Sequence, residues 1–154
     1  DLAIADLKRL GLEKETKAWM TVKGKLGKTD FSLFYYKYPL IENPDKFEGV
    51  NVLNKKDIAA MKIHALSDRG TRRDFMDVYF LAKKYSLEQI LEFYDKKYGD
   101  LEEKKYHLLR SLDYFIDAEK EQEHPEMLID TKWEDVTAFF KRESKRLAQT
   151  YFNL

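Results

Sequence analysis

The chain has 154 residues, enough for one domain that buries roughly 70 % of the surface its unfolded form exposes, and its 44 % hydrophobic content, with ten Phe and ten Tyr, supplies an ordinary core. Its 28 basic and 28 acidic residues cancel, so no long-range attraction to nucleic acid or anionic membrane is written into the net charge, and any such contact must come from a local patch. The absence of cysteine excludes disulfides and thiolate metal sites, and with no run of about 18 apolar residues and no signal peptide the expectation is a cytoplasmic chain without a membrane span.

In chain order, Leu2, Ala5, Asp6, Arg9 and Leu10 fall at helical spacing, with Gly11 as a C-terminal stop. Residues 18–23 and 31–38 are rich in aromatic and β-branched side chains, and Gly24-Lys25-Leu26-Gly27-Lys28 between them reads as a hairpin turn. Pro39 and Pro44 end the second strand and open an irregular stretch to about Leu53. Asp57 reads as the N-cap of a helix running to Arg69, Gly70-Thr71 breaks it, and a second helix starts near Asp74. Ser86 and Gln89 have capping-box spacing for a third helix, closed by Gly99. Asp100 caps a long helix to about Glu119, His124-Pro125 interrupts, and Thr131 with Glu134 forms another capping box for a last helix to about Thr150. The pattern predicts an α+β fold in a single domain over 1–154, with a helix and β-hairpin part over 1–53 and a lobe of about five helices over 54–154.

At about 100° per residue, Ile58, Ala59, Met61, Ile63, Ala65 and Leu66 spread over one apolar arc of the helix from 57 to 69, while Ala60, His64, Ser67 and Asp68 cover the other side. Lys62 and Arg69 sit inside the apolar arc, where a desolvated lysine costs several kcal/mol unless paired. On the next helix Phe75, Val78, Leu81, Ala82 and Tyr85 face inward, Asp74 projects into that arc and Asp77 lies on its edge. The linking turn, Gly70-Thr71-Arg72-Arg73, is short enough to make the two helices neighbours, so inward cations meet inward carboxylates. One reading is a buried ion-pair network that pins the helices. The other is a phosphate and metal site, in which Lys62 and Arg69 hold phosphate oxygens and Asp74 or Asp77 positions a divalent ion, a base or the lysine. Arg69, Arg72 and Arg73 exceed what two carboxylates need, which favours an anionic ligand.

Elsewhere, His64 is expected on an outer helix face, and His107 and His124 lie too far apart for zinc-ligand spacing. Asp113 and Asp117 share a face on a continuous helix, either at the border of the substrate cleft or as surface or capping residues. The aromatic strand from Phe31 suits base stacking or, as aromatic strands more often do, a core, and Lys23, Lys25 and Lys28 suit RNA contact or a solvated turn. Lys141, Arg142, Lys145 and Arg146 mark a wet amphipathic face.

The stretch DIAAMKIHALSDRGTRRDFMDVYFL resembles the central signature of the AbiEii/AbiGii nucleotidyltransferase toxins of abortive-infection and type IV toxin–antitoxin systems. FSLFYYKYPLI, GVNVLNKKDIAAMK, SLEQILEFYDKKYGD, LLRSLDYFIDAEKEQEHPEML and Trp133 extend the resemblance over nearly the whole chain. The resemblance implies a polymerase-β-like nucleotidyltransferase fold with a helical C-terminal lobe. It also implies Mg²⁺-dependent transfer of a nucleotide from an NTP to an acceptor such as RNA, and an antitoxin as protein partner. By position, Lys62, Asp74 and Asp77 correspond to the family's catalytic residues, and Lys62, Arg69, Arg72 and Arg73 to its phosphate contacts. Such enzymes also use a Gly-Ser turn and an Asp-x-Asp metal pair, and this sequence contains neither. The chain opens on Asp1 rather than an initiator Met. The expectation is therefore the C-terminal two-thirds of a family member, inactive by itself, with Mg²⁺ and NTP implied for the complete protein and no metal ligand assigned in this chain.

Overall fold

The computed structural model describes residues 2–18, 20–121, 125 and 127–152, giving the backbone alone over 2–5 and 14–18, so the expectation for His124 falls outside the described residues. The chain forms two compact units, Asp1–Tyr38 and Pro39–Leu154. The α+β class expected from the sequence is what the structure adopts, with small antiparallel sheets followed by helices as in a nucleotidyltransferase-like fold.

In the first unit, helix α1 (Leu2–Arg9) precedes a three-stranded antiparallel meander, β1 (Leu12–Ala18), β2 (Thr21–Leu26) and β3 (Thr29–Phe34). The expected hairpin is present, but its turn is tighter than the sequence suggests. Gly24 to Leu26 continue β2, paired with Phe31 to Thr29, and the reversal falls on Gly27-Lys28, with Gly27 at φ 58°. Gly24 is required where it stands, because a Cβ there would lie 2.7 Å from Leu12 Cδ1 and 2.8 Å from the Glu13 carbonyl oxygen. Strand β1 was not expected. Its sequence, LEKETKA, consists largely of helix formers, and pairing with β2 in the register Leu12–Leu26 overrides that preference.

The second unit opens with the segment around Ile41 and a hairpin of β4 (Asp45–Phe47) and β5 (Val50–Val52), inside the stretch expected to be irregular. Both turn residues, Glu48 (φ 49°) and Gly49 (φ 80°), are left-handed, the geometry of a type I′ hairpin. Helix α2 (Lys55–Arg69) then runs through the centre of a helical cluster made with α3 (Arg72–Ala82), α4 (Leu87–Tyr98), α5 (Leu101–Ser111), α6 (Ile116–Lys120) and α7 (Trp133–Phe152). It touches α3, α4 and α5, so Ala59, Ala60, Ile63 and Leu66 are all buried. Ala60, expected on the outer side, is buried because its small side chain lets a neighbour approach a second flank. Phe75 of α3 is the aromatic hub, with ring centroids 5.0 Å from Phe115, 5.8 Å from Trp133 and 5.1 Å from Phe140.

The helix ends follow local chemistry, with several departures from expectation. Asn54, not Asp57, caps α2, its side chain accepting from Lys56 N at 3.0 Å. Asp57 is wholly buried one turn in and accepts from Ile41 N (3.0 Å), Glu42 N (3.3 Å) and Lys97 Nζ (2.6 Å), while Lys97 also donates to the Pro39 carbonyl at 2.9 Å. The Ser86/Gln89 capping box and the left-handed Gly99 stop of α4 form as expected. Asp100 makes no capping bond. Asp95 Oδ1 accepts from Leu101 N instead, at 3.1 Å. The helix expected to reach Glu119 stops at Ser111, where Asp113 N and Tyr114 N bond three residues back and tighten the chain into a turn. Asp113 and Asp117 consequently sit on a turn and on α6, not on one helix face. Thr131 donates to the Ile129 carbonyl at 3.0 Å, and α7 begins at Trp133.

Candidate functional site

The site grows from the α2–α3 corner. Gly70 ends α2 in the left-handed conformation (φ 56°), and Thr71 immediately caps α3 through a capping box with Asp74. A two-residue link of this kind leaves the helices side by side, with the C-terminal half of α2 along the first turns of α3.

Two ion pairs cross that seam. Lys62 Nζ meets Asp77 Oδ2 at 2.7 Å, and Arg69 grips Asp74 bidentately, Nε to Oδ2 at 2.7 Å and Nη2 to Oδ1 at 2.8 Å. The inward cations of α2 thus meet the inward carboxylates of α3. The rungs differ in what surrounds them. Asp74 is wholly buried, and its Oδ2 also accepts from the Thr71 hydroxyl at 2.6 Å and from Thr71 N at 3.3 Å. Burial pushes the Asp74 carboxyl up, but the bonds from Arg69 and then Thr71 outweigh it and hold the group below the ordinary carboxylate range. The same bond raises the Arg69 guanidinium above its usual value. Every strong acceptor direction of Asp74 is therefore committed inside the protein.

Lys62 and Asp77 are placed differently, with side chains 32 % and 35 % exposed. Asp77 Oδ2 is shielded behind the lysine and accepts no hydrogen bond among the described residues. This rung is the part of the cluster that an incoming anion can reach.

The other arginines separate. Arg72 is buried, its guanidinium 4.8 Å from the Trp133 ring centre, while its backbone N–H donates to Glu121 Oε2 at 3.1 Å. Arg73 is exposed and shares with Asp77 a cleft of about 360 Å³, walled by Met76, Phe80 and Met127. Arg69 lines a different cleft, also about 360 Å³, together with Arg110 and His107. The predicted residues are thus brought together on one corner but divided between two recesses. Asp117 lines the Arg69 cleft and Asp113 does not. His64, exposed as expected, lies against Tyr98 with ring centroids 4.7 Å apart. No local pattern in the sequence pointed to Arg110, His107 or Tyr114 in the second cleft, because they come from α5 and the turn that ends it.

Among the described residues no three His, Asp or Glu side chains gather where they could hold a metal ion between them. No described helix is long and apolar enough to cross a membrane. What the corner offers is cationic: a lysine about a third exposed and held by a carboxylate, an exposed arginine on the Asp77 cleft, and a second arginine locked as a brace.

The family model described as nucleotidyl transferase AbiEii toxin, type IV TA system, matches residues 35–150. An uncharacterized protein of Aquifex aeolicus (strain VF5) is 40 % identical over 119 residues, covering 75 % of this chain and 55 % of that protein. The chain thus spans about half the length of this curated relative. No solved structure gives a significant match.

Proposed function

The chain belongs to the AbiEii family of toxin-like nucleotidyltransferases, and from that premise we propose that α2 and α3 form a phosphate-facing wall of a nucleotide-transfer site. The observation that carries this reading is the Lys62–Asp77 pair, closed at 2.7 Å across the helix seam with both members about a third exposed. A pair placed only to pin the helices gains little from such exposure, since a solvent-screened ion pair contributes at most about 1 kcal/mol.

Enzymes of this kind generally depend on an NTP and a metal. The transfer forms a bond from an acceptor hydroxyl oxygen to the α-phosphorus, with the hydroxyl proton passing to solvent, and breaks the α-phosphorus bond to the bridging oxygen, releasing pyrophosphate. Negative charge on the phosphate oxygens must be neutralised throughout. Lys62 supplies a cation for those oxygens, and Asp77 keeps the ammonium aimed until the phosphate competes for it. Arg73, on the same cleft as Asp77, adds a second contact. Asp74 and Arg69 act as positioning residues, fixing the first turn of α3 and hence Asp77 one turn further on. Arg72 anchors the same turn against Trp133. No step is routed through a metal, since no group of three metal-ligating side chains gathers among the described residues. The acceptor we assign is RNA, and the protein partner an antitoxin, in keeping with the family's toxin–antitoxin character.

The wholly buried Asp74, committed to Arg69 and Thr71 and so out of reach of a substrate, favours a second reading, a module that binds nucleotide, RNA or antitoxin without transfer. One experiment addresses both. NTPs should raise the thermal midpoint of the wild-type chain, and Lys62→Ala should abolish that rise while keeping its circular-dichroism spectrum. Label from an α-³²P NTP appearing on RNA supports transfer, and binding without label supports the module. An NTP-induced rise that survives in Lys62→Ala removes Lys62 from the site altogether.

A further inference from the structure

The cleft beside Arg69 has a composition that the transfer reading does not use. It opens between the C-terminal end of α2, the end of α5 and the start of α6, with a volume of about 360 Å³. That is at the small end of the roughly 300–1,000 Å³ typical of small-molecule sites. Arg69 is 58 % exposed on its side chain, and with Nε and Nη2 bound to Asp74 its Nη1 remains uncommitted. Arg110 and Asp68, both exposed, have no side-chain ion pair or hydrogen bond among the described residues. His107 Nε2 lies 3.0 Å from the Ser67 carbonyl, so Nε2 carries the proton and donates, which fixes the ring at the cleft wall. Tyr114 is 46 % exposed, and Asp117 faces the same space while paired to Lys120 at 3.2 Å.

Arginines, an exposed aromatic ring and carboxylates around one small space are the three kinds of partner that a nucleotide unit presents needs for. Phosphate oxygens take guanidinium donors, a base takes a ring face, and ribose hydroxyls or exocyclic amino groups donate to carboxylates. The two arginines and two aspartates leave no net charge, which suits one phosphodiester better than a triphosphate. We propose that this cleft holds a single nucleotide of an RNA strand, separate from the Lys62–Asp77 rung. Arg110, with Arg69, binds the phosphate, Tyr114 stacks on the base, and Asp68 and Asp117 accept from the sugar or base. The inference rests on the RNA-acceptor reading above and gives that RNA a place to dock.

The test is fluorescence anisotropy of a short fluorescein-labelled single-stranded oligoribonucleotide titrated with the full chain over a range of salt concentrations. Arg110→Ala should weaken binding about tenfold and flatten the slope of log K against log salt by about 0.7, the loss of one phosphate contact. Tyr114→Ala should weaken binding about tenfold with the slope unchanged, and Tyr114→Phe should restore it. Both residues are exposed, and unaltered circular dichroism checks that the fold is kept. NTP-induced stabilisation should survive in both variants, which separates this site from the Lys62 site. If the oligoribonucleotide does not bind, or binds both alanine variants as it binds wild type, the proposal is overturned. If Arg110→Ala loses RNA while no NTP stabilises any form of the chain, this proposal stands and the NTP reading falls.

Discussion

Replacing Lys97 should unfold the helical unit more readily than any surface substitution, and the reason lies in one buried pair. Lys97 and Asp57 are both wholly buried, 2.6 Å apart, on α4 and α2. In Lys97→Met, Asp57 keeps the backbone donors of Ile41 and Glu42 but loses the cation that offsets its burial. The cost should fall near the lower end of the about 3–5 kcal/mol seen when a buried pair is broken from one side. In Asp57→Leu, the buried ammonium keeps the Pro39 carbonyl but loses its carboxylate, and two backbone N–H groups lose their acceptor, so about 5 kcal/mol is expected. The double variant removes both charges and should cost clearly less than the sum of the singles, leaving a coupling of about 2 kcal/mol or more. Urea unfolding followed by circular dichroism at neutral pH, with constant m-values, gives all four corners of the cycle. Single costs below about 1 kcal/mol, or strict additivity, would refute the reasoning, because exposed pairs behave that way.

Other expectations follow from the same geometry. Thr71→Ala removes one half of the capping box of α3 and should cost about 1 kcal/mol, with faster amide exchange confined to the first turn of that helix; unchanged exchange there would contradict it. Trp133→Phe should be mild, within about 1 kcal/mol, because the buried indole N–H has no partner among the described residues and the ring contacts with Phe75 and Phe115 persist, whereas Trp133→Ala should cost about 3–5 kcal/mol in thermal or urea unfolding. On the acid side, the Arg146 hydrogen bond holds Glu88 down to about 2 from its ordinary 4.5, and Asp57 and Asp74 also lie below their usual range. Groups with depressed values contribute stability that is complete above about pH 4.5 and lost as pH falls, for Glu88 through about 2. Arg146→Ala should therefore move the acid-unfolding midpoint upward; a midpoint that stays put would show the pair contributes nothing.

The α2–α3 corner was readable from sequence because helical periodicity is a local property. Lys62 and Arg69 repeat after seven residues, Asp74 and Asp77 after three, and a two-residue link leaves little choice of partner. The pairing of Lys62 with Asp77 and Arg69 with Asp74 follows from that. The Asp57–Lys97 pair was not readable, since its members are 40 residues apart on α2 and α4, and Asp57 has the residue type and place of an N-cap. Strand β1 was hidden for a related reason, as its pairing with β2 outweighs a helix-forming composition. The early end of α5 carries no Gly or Pro to announce it, and the cleft that holds Arg110 and Tyr114 depends on that end. Local rules placed the first rungs of the site. Long-range packing placed the rest.

As proposed, Lys62 faces phosphate and Asp77 holds it until phosphate arrives. Isothermal titration of an NTP into Lys62→Met and Asp77→Asn, without added metal, separates this role from a structural one, because the two changes have opposite expected signs. Lys62→Met should lose the binding, whereas Asp77→Asn frees the ammonium and should bind the NTP at least as tightly as wild type. Equal affinities in both variants, or a loss in Asp77→Asn with binding kept in Lys62→Met, would contradict the account and return the pair to a purely structural role.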